Sequence, residues 1–177
     1  MINGKFSSLD ELMEKNSILS YKLPVEILER VRKQNLWTME YTERVAEEYL
    51  RFMFLATKNY VVPSLEVDEI WHAHLLFSRD YSTFCKEFLQ RTIHHGPSTT
   101  LASISDDKEM YATTKRLYFM YFSETPPEDI WPSSNVRFRN VHFANIDLLT
   151  HWVFPAGDWK ACAKVLLKHL FLKLKLW

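Results

Sequence analysis

The chain has 177 residues, of which 47% are hydrophobic and 15% aromatic, so it can bury a sizeable core and is not intrinsically disordered. Its 22 Lys and Arg residues balance 22 Asp and Glu residues, and the formal net charge is zero. This balance argues against a nucleic-acid-binding domain, because such domains carry a basic excess that neutralises phosphates.

The cysteines and the apolar runs indicate where the protein resides. Cys85 and Cys162 lie far apart and fit no CxxC spacing, which is typical of reduced thiols in a cytosolic protein. The N-terminal residues contain no apolar run of the signal-peptide type. Because no stretch of about 20 apolar residues occurs, no membrane span is predicted. We therefore expect a cytoplasmic protein.

The first third of the chain predicts three helices. Ser8 and Glu11 have the spacing of a capping box, which favours a short first helix. Pro24 suits the first turn of a second helix, LPVEILERVRKQN. Thr38 can cap a longer third helix, in which apolar residues recur with a period near 3.6.

The middle of the chain predicts further helices separated by loops. Pro63 interrupts the helical pattern, and Ser64 can cap the helix that contains VDEIWHAHLLF. Ser78 is a second candidate cap, so Leu65–Leu89 forms two helices or one kinked helix. The segment RTIHHGPSTT is predicted to be a loop. Another helix is expected from Asp106 and ends at TPPEDIWPSS, which Trp131 is expected to clamp onto the core.

The C-terminal quarter gives weaker signals. VRFRNVHF alternates as a short strand or extended arm does, and Asp158 can cap a last helix. The predicted fold class is all-α: a single compact domain of about six or seven helices with an irregular C-terminal region. We expect the helical domain to span residues 1–135. Residues 136–177 are a C-terminal extension of uncertain structure that packs on the same domain.

The segment Val67–His95 holds four of the seven histidines, and helical spacing divides its polar residues between two faces. Each residue of a helix advances by about 100°. Asp68 and His72, four residues apart, therefore share one face. His74 lies about 200° from His72 and instead lines up with Tyr81 and Cys85. One straight helix cannot direct both histidines at one ion.

The Asp68–His72 face predicts a divalent metal site, because a carboxylate and an imidazole one turn apart can bind the same ion. The following loop can supply a third ligand, His95 or His94. We expect zinc or iron held by Asp68, His72 and His95. His74 or Cys85 would serve as an alternative ligand or support the ligands, if the helix breaks near Ser78.

A purely structural interpretation of the same residues stays open. Asp68 can orient His72 through a hydrogen bond, with Arg79 completing a satisfied polar network. The protein would then be an adaptor or regulatory interaction module, with its partner bound at a surface such as TPPEDIWP.

An enzyme is the least favoured class, because the chain has no nucleophile elbow, phosphate loop, HExxH or dinucleotide fingerprint. An open metal position can nevertheless support hydrolytic or oxidative chemistry. The basic tail KHLFLKLKLW also allows peripheral membrane contact, although packing of a terminal helix or strand on the domain is the simpler interpretation.

Four segments together resemble one known family. They are RFMFLA, PSLEVDEIWHAHLLFSRDYSTFC, IHHGP and YFSETPPEDIWP, spread between Leu36 and Pro132. This pattern resembles the glycine-rich domain-containing protein family of plants, fungi and bacteria, in its domain outside the glycine-rich part. The resemblance implies a shared polar site, and it implies no particular reaction. The positions that match its recurring polar residues are Asp68, His72, His74, Tyr81, Cys85 and His95.

The chain departs from that family at several places. Gln90 and Ser123 stand where the family has glycine, and we expect the turns there to use other conformations than the left-handed one that glycine favours. The glycine-rich tail of the plant members is not found in this sequence. RNA association, which is tied to that tail, is therefore not expected here.

Overall fold

Other helices pack around one central helix, Met39–Lys58. The computed structural model describes the backbone of residues 9–96 and 101–139, with side chains from residue 106 onward in the second stretch. These residues form seven α-helices and one π-helical segment and contain no strand, which confirms the all-α prediction. The helices are α1 (Leu9–Ser20), α2 (Val25–Asn35), α3 (Met39–Lys58), α4 (Leu65–Leu76), α5 (Ser78–Phe84), the π-helical segment (Cys85–Leu89), α6 (Leu101–Phe122) and α7 (Ser134–Arg137).

All described residues belong to the first of two compact units of the chain, which ends at Arg139. The predictions for Ser8, for Cys162, for the helix after Asp158 and for the basic tail fall outside the described residues. So does the predicted extension from residue 140 onward. Within residues 9–96 and 101–139, no helix combines the length and the apolar character that crossing a bilayer requires.

Side-chain caps begin two of the helices as predicted. The Thr38 hydroxyl accepts a hydrogen bond from the Tyr41 backbone N–H at 3.2 Å, and the Ser64 hydroxyl accepts one from that of Val67 at 3.2 Å. The break between α4 and α5 is also where it was expected. Ser78, however, does not cap α5: the cap position is Phe77, and no side-chain hydrogen bond forms there.

The core lies along α3, which contacts α1, α2, α4, α6 and the π-helical segment. The apolar residues on its core face are buried, whereas Glu40, Glu43 and Glu47 on its other face are exposed, as the helical period predicted. The apolar residues of α3 without exposed surface are Val45, Tyr49, Phe52, Met53, Phe54 and Leu55. Burial of such side chains contributes roughly 1.5–3 kcal/mol each to folding.

A buried carboxylate on α3 fixes the segment after α6. Glu48 accepts hydrogen bonds from the indole N–H of Trp131 at 2.8 Å and from the Tyr118 hydroxyl at 3.0 Å. Burial raises the pKa of Glu48 above its ordinary value, while the hydrogen bond from Trp131 and the charge of Arg51 oppose the rise. Trp131 is fully buried, which confirms its predicted role as a core anchor.

The chain after Ser133 is helical where a strand or extended arm was predicted. Val136 and Arg137 belong to α7, and the Arg137 backbone N–H donates to the Ser133 carbonyl at 2.9 Å. The alternating pattern from Val136 to Arg139 was therefore misleading, because a single helical turn is too short to show a helical period.

The prediction for the two positions that lack glycine was wrong. Gln90 and Ser123 have φ values of 54° and 56°, in the left-handed region. Both follow the end of a helical segment, where a left-handed residue closes the last turn. The Gln90 backbone N–H donates to the Cys85 carbonyl as part of this closure. These turns thus keep the conformation that glycine favours without having glycine.

Replacing Trp131 with Phe tests the buried clamp. The variant keeps an aromatic ring in the core but removes the N–H that Glu48 accepts, so we expect a loss of about 1–3 kcal/mol in the free energy of unfolding. Urea denaturation provides the measurement. Trp37→Phe, at a partly exposed tryptophan, is the control and should cost clearly less. Equal losses in the two variants would contradict the clamp.

Replacing Gln90 with Gly tests the left-handed turn. Glycine adopts this conformation without the steric cost of a side chain, so we expect a gain of up to about 1 kcal/mol in the free energy of unfolding. Lys86→Gly, at an exposed helical position four residues earlier, should instead lose about 0.5–1 kcal/mol. Thermal denaturation of both variants checks the opposite signs.

Candidate metal centre

Helix α4 presents Asp68 and His72 on the face opposite the core. Its buried side is formed by Val67, Ile70 and Trp71, which pack in the hydrophobic core. Because Asp68 and His72 are one turn apart on the other side, both reach the surface there. The His72 side chain is 53% exposed, and that of Asp68 is 21% exposed.

The loop that follows the π-helical segment returns to α4. The Tyr81 hydroxyl donates to the Ile93 carbonyl at 2.5 Å and accepts a hydrogen bond from the indole N–H of Trp71 at 3.2 Å. The Arg91 guanidinium adds a second attachment, because it donates to the Thr57 carbonyl at 2.7 Å. These hydrogen bonds fix the loop on both sides of Thr92 and set the position of the residues that follow.

His95 lies beside Asp68 as a result. Its Nε2 atom is 2.7 Å from Asp68 Oδ1, and its ring centroid is 4.3 Å from that of Trp71 and 4.5 Å from that of His72. Of the two loop histidines considered from the sequence, the structure therefore brings His95 to the face of α4. His94 is exposed and lines a cleft that Asp68, His72 and His95 also line.

One ligand atom from each of Asp68, His72 and His95 lies within 4.8 Å of the other two. The ligands of a tetrahedral ion at about 2.0–2.2 Å are separated by about 3.3–3.6 Å, so small side-chain rotations would bring these atoms to ligating distance. One carboxylate and two imidazoles form a set that suits zinc and non-haem iron. We call these three residues the Asp68 triad.

The hydrogen bond expected between Asp68 and His72 is not present. Asp68 Oδ2 and His72 Nδ1 are 3.9 Å apart, beyond hydrogen-bonding distance, and Asp68 bonds His95 instead. Arg79 is exposed and forms no ion pair with Asp68 in the described part of the chain. The predicted polar network, in which Asp68 bonds His72 and Arg79 completes the contacts, is therefore wrong.

A cleft of about 600 Å³ opens at the Asp68 triad. The triad and His94 line one part of it, and Arg137 and Phe138 line another. A volume of this size is in the range of small-molecule sites.

His74 belongs to a separate buried network. Its Nδ1 atom is 2.9 Å from the Tyr49 hydroxyl, and its Nε2 atom is 2.8 Å from Asp80 Oδ2. Asp80 accepts a second hydrogen bond from the Tyr21 hydroxyl. The His74 side chain has no exposed surface, and burial lowers its pKa although the charge of Asp80 opposes this. The network is thus satisfied with a neutral imidazole.

The structure does not bring His74 or Cys85 to the Asp68 triad. Both ring nitrogens of His74 are already hydrogen-bonded, so neither is free to ligate an ion shared with His72. The Cys85 thiol is buried in the core and unpaired, which leaves it a packing role. Neither residue joins the ligand group found among the described residues.

Sequence patterns did not reveal the partners of His74. Tyr49 belongs to the apolar stripe of α3, where a tyrosine is indistinguishable from other core aromatics. Asp80 stands six residues after His74, a separation that no single helix brings together. The break between α4 and α5 at Phe77 allows Asp80 to contact His74. The break predicted near Ser78 was therefore the sequence feature that indicated this contact.

Substitutions of His74 and His72 should have very different effects on metal-free protein. His74→Ala leaves the buried Tyr49 hydroxyl without its partner and creates a cavity, so we expect a loss of about 2–4 kcal/mol in the free energy of unfolding. His72→Ala, at a half-exposed position that makes no hydrogen bond with the described residues, should change it by about 0.5 kcal/mol or less. Urea denaturation with a chelator present compares them. Similar losses would show that His72 also has a structural role.

Comparison with protein families gives a match over most of the chain. The model of the UCP032817-like family matches residues 13–140, well over half of the chain, and this segment contains the Asp68 triad and the His74 network. No curated protein and no solved structure matches the chain. The chain belongs to the UCP032817-like family.

Proposed function

We propose that this helical domain binds a divalent metal ion, zinc or iron, through Asp68, His72 and His95. The observation that supports the proposal is the convergence of three ligand atoms within 4.8 Å at the wall of a cleft. They come from two separate elements, α4 and the loop that Tyr81 attaches to it.

His72 favours a metal over a purely structural role for the triad. Within the described residues it makes no hydrogen bond, and its Nδ1 atom is 3.9 Å from Asp68 Oδ2. A histidine that served to hold the fold together would be buried and hydrogen-bonded, as His74 is. An imidazole held half-exposed beside a second imidazole and a carboxylate is instead arranged as a ligand is.

The metal ion would compete with protons for its ligand atoms. In metal-free protein, the His95 Nε2 atom and Asp68 Oδ1 are joined by a hydrogen bond of 2.7 Å. A divalent ion would replace this hydrogen bond and take both atoms as ligands, and a neutral His95 would then carry its proton on Nδ1. Because metal ligands bind in their deprotonated forms, binding would weaken as the pH falls. The Asp68 carboxylate supplies the single negative charge of the ligand set.

Three protein ligands would leave further positions on the ion open. Zinc sites that keep such a position bind water or another small ligand there, and two-histidine, one-carboxylate iron sites do the same. The cleft of about 600 Å³ gives such a ligand access. We propose binding at this position and assign no reaction to it.

Metal analysis of protein purified without a histidine tag tests the proposal. We expect about one equivalent of zinc or iron per chain, lost in His72→Ala and in His95→Ala. His94→Ala is the matched control, because His94 lines the same cleft but is not in the ligand group, and it should retain the metal. Wild-type protein that takes up no metal, and whose melting temperature is the same with or without zinc and iron, would overturn the proposal.

Asp68→Asn separates a metal site from a structural hydrogen bond. Asparagine keeps an acceptor for the His95 N–H, so a structural role would largely survive the change. The substitution removes the only anionic ligand, so metal affinity should fall by at least about tenfold while metal-free stability changes little.

The alternative function is an adaptor or regulatory interaction module, in which the polar residues only hold the helices together. The buried network around His74 supports it, because that network is fully hydrogen-bonded and joins α3, α4 and α5 to Tyr21, which directly follows α1. On this view, His72→Ala would lower the melting temperature equally with and without chelator. We also propose a cytoplasmic location and a relationship to the glycine-rich domain-containing proteins.

A further inference from the structure

An arginine occupies the cleft alongside the Asp68 triad. Arg137, in α7, lines the same cleft as Asp68, His72 and His95. Its Nε atom donates to the Pro63 carbonyl at 3.3 Å, and its Cζ atom lies 5.0 Å from the centre of the Phe138 ring. These contacts fix the base of the guanidinium, and no described residue forms a hydrogen bond with its two terminal nitrogens.

Among the described residues, no carboxylate forms an ion pair with Arg137. Asp68, Glu66 and Asp107 attract its charge from a longer distance, and Asp68 is the strongest of the three. Burial lowers the pKa of Arg137, yet an arginine stays protonated in proteins. A largely buried cation that lacks an anionic partner favours an anion beside it.

Metal binding would make an anion beside Arg137 still more favourable. A divalent ion on Asp68 changes the local charge from negative to positive, so the strongest attraction acting on Arg137 would become a repulsion. An anion between the two cations would relieve it. The open metal positions and the guanidinium fork are both well suited to oxygen ligands.

We propose that the metal-loaded cleft binds a small oxyanion, a carboxylate or a phosphate, with oxygens on the metal and on Arg137. This inference rests on the proposed metal site and names the class of ligand that it takes. The volume of about 600 Å³ is that of a metabolite-sized pocket. Tyr60, Val61 and Val62 contribute to the rest of its lining and would surround the non-polar part of such a ligand.

Cobalt-loaded protein offers a direct test, because the visible spectrum of cobalt(II) responds to a new ligand. Succinate and inorganic phosphate are titrated in parallel, with the neutral succinamide as the control ligand. We expect one or both anions to change the spectrum and to bind in calorimetry, with succinate and phosphate distinguishing a carboxylate site from a phosphate site. Succinamide should have no effect. An equal response to succinamide would overturn the inference.

Two variants test whether the anion contacts Arg137 as well as the metal. Arg137→Gln should bind cobalt as the wild type does and should weaken anion binding by at least about tenfold, since a charge-assisted, two-pronged contact is lost. Arg139→Gln, at an exposed arginine two residues away, is the matched control and should bind the anion normally. Equal anion affinity in the wild type and Arg137→Gln would overturn the role of Arg137.

The two proposals fail in distinguishable ways. Wild-type protein that binds cobalt but neither anion would overturn this inference and leave the metal site intact. Wild-type protein that binds no metal would overturn the proposed function and this inference with it. If Arg137→Gln does not fold, the comparison of succinate, phosphate and succinamide on wild-type protein still decides the question.

Discussion

The candidate site depends on the hydroxyl of Tyr81. It accepts the indole N–H of Trp71, on α4, and donates to the carbonyl of Ile93, in the loop. One buried oxygen thus joins the helix that carries Asp68 and His72 to the segment that carries His95. The bond from Trp71 is buried and the bond to Ile93 is partly buried, and a buried hydrogen bond is expensive to leave unmade. This arrangement explains why a loop with few apolar contacts has a definite position beside α4.

The two histidines of the WHAH segment have opposite environments because they are two residues apart on one helix and therefore point in different directions. His72 is half-exposed at the cleft, and His74, two residues later, has no exposed surface. Burial favours the neutral form of His74, and its two nitrogens are occupied by Tyr49 and Asp80. An imidazole can therefore be a core residue or a ligand candidate within one turn, and only the direction of its side chain distinguishes the two roles.

Sequence reasoning predicted the features that follow from local periodicity and local caps. The caps of α3 and α4, the interruption near Ser78 and the common face of Asp68 and His72 all belong to this kind. The contacts of Asp80 and Arg137 could not be predicted, because they depend on the path of the chain after the break at Phe77 and after Trp131. The left-handed turns at Gln90 and Ser123 were missed for another reason: closing the last turn of a helix can impose a conformation that the residue itself disfavours.

The hydrogen bonds that hold Trp131 in the core also position the part of the cleft that Arg137 and Phe138 line. Lys115, on α6, donates to the carbonyls of Trp131 and Pro132, and Tyr111 donates to that of Pro132. The chain then enters α7 only three residues after Trp131 is fixed in the core, so Arg137 has little freedom to move away. Its contact with Pro63, just before α4, completes the connection. Separate networks thus hold the two parts of the cleft lining: one runs through Tyr81 and is anchored on α4, and the other runs through Glu48 on α3. A cleft fixed in this way is preorganised for a ligand, since little conformational entropy remains to be lost on binding.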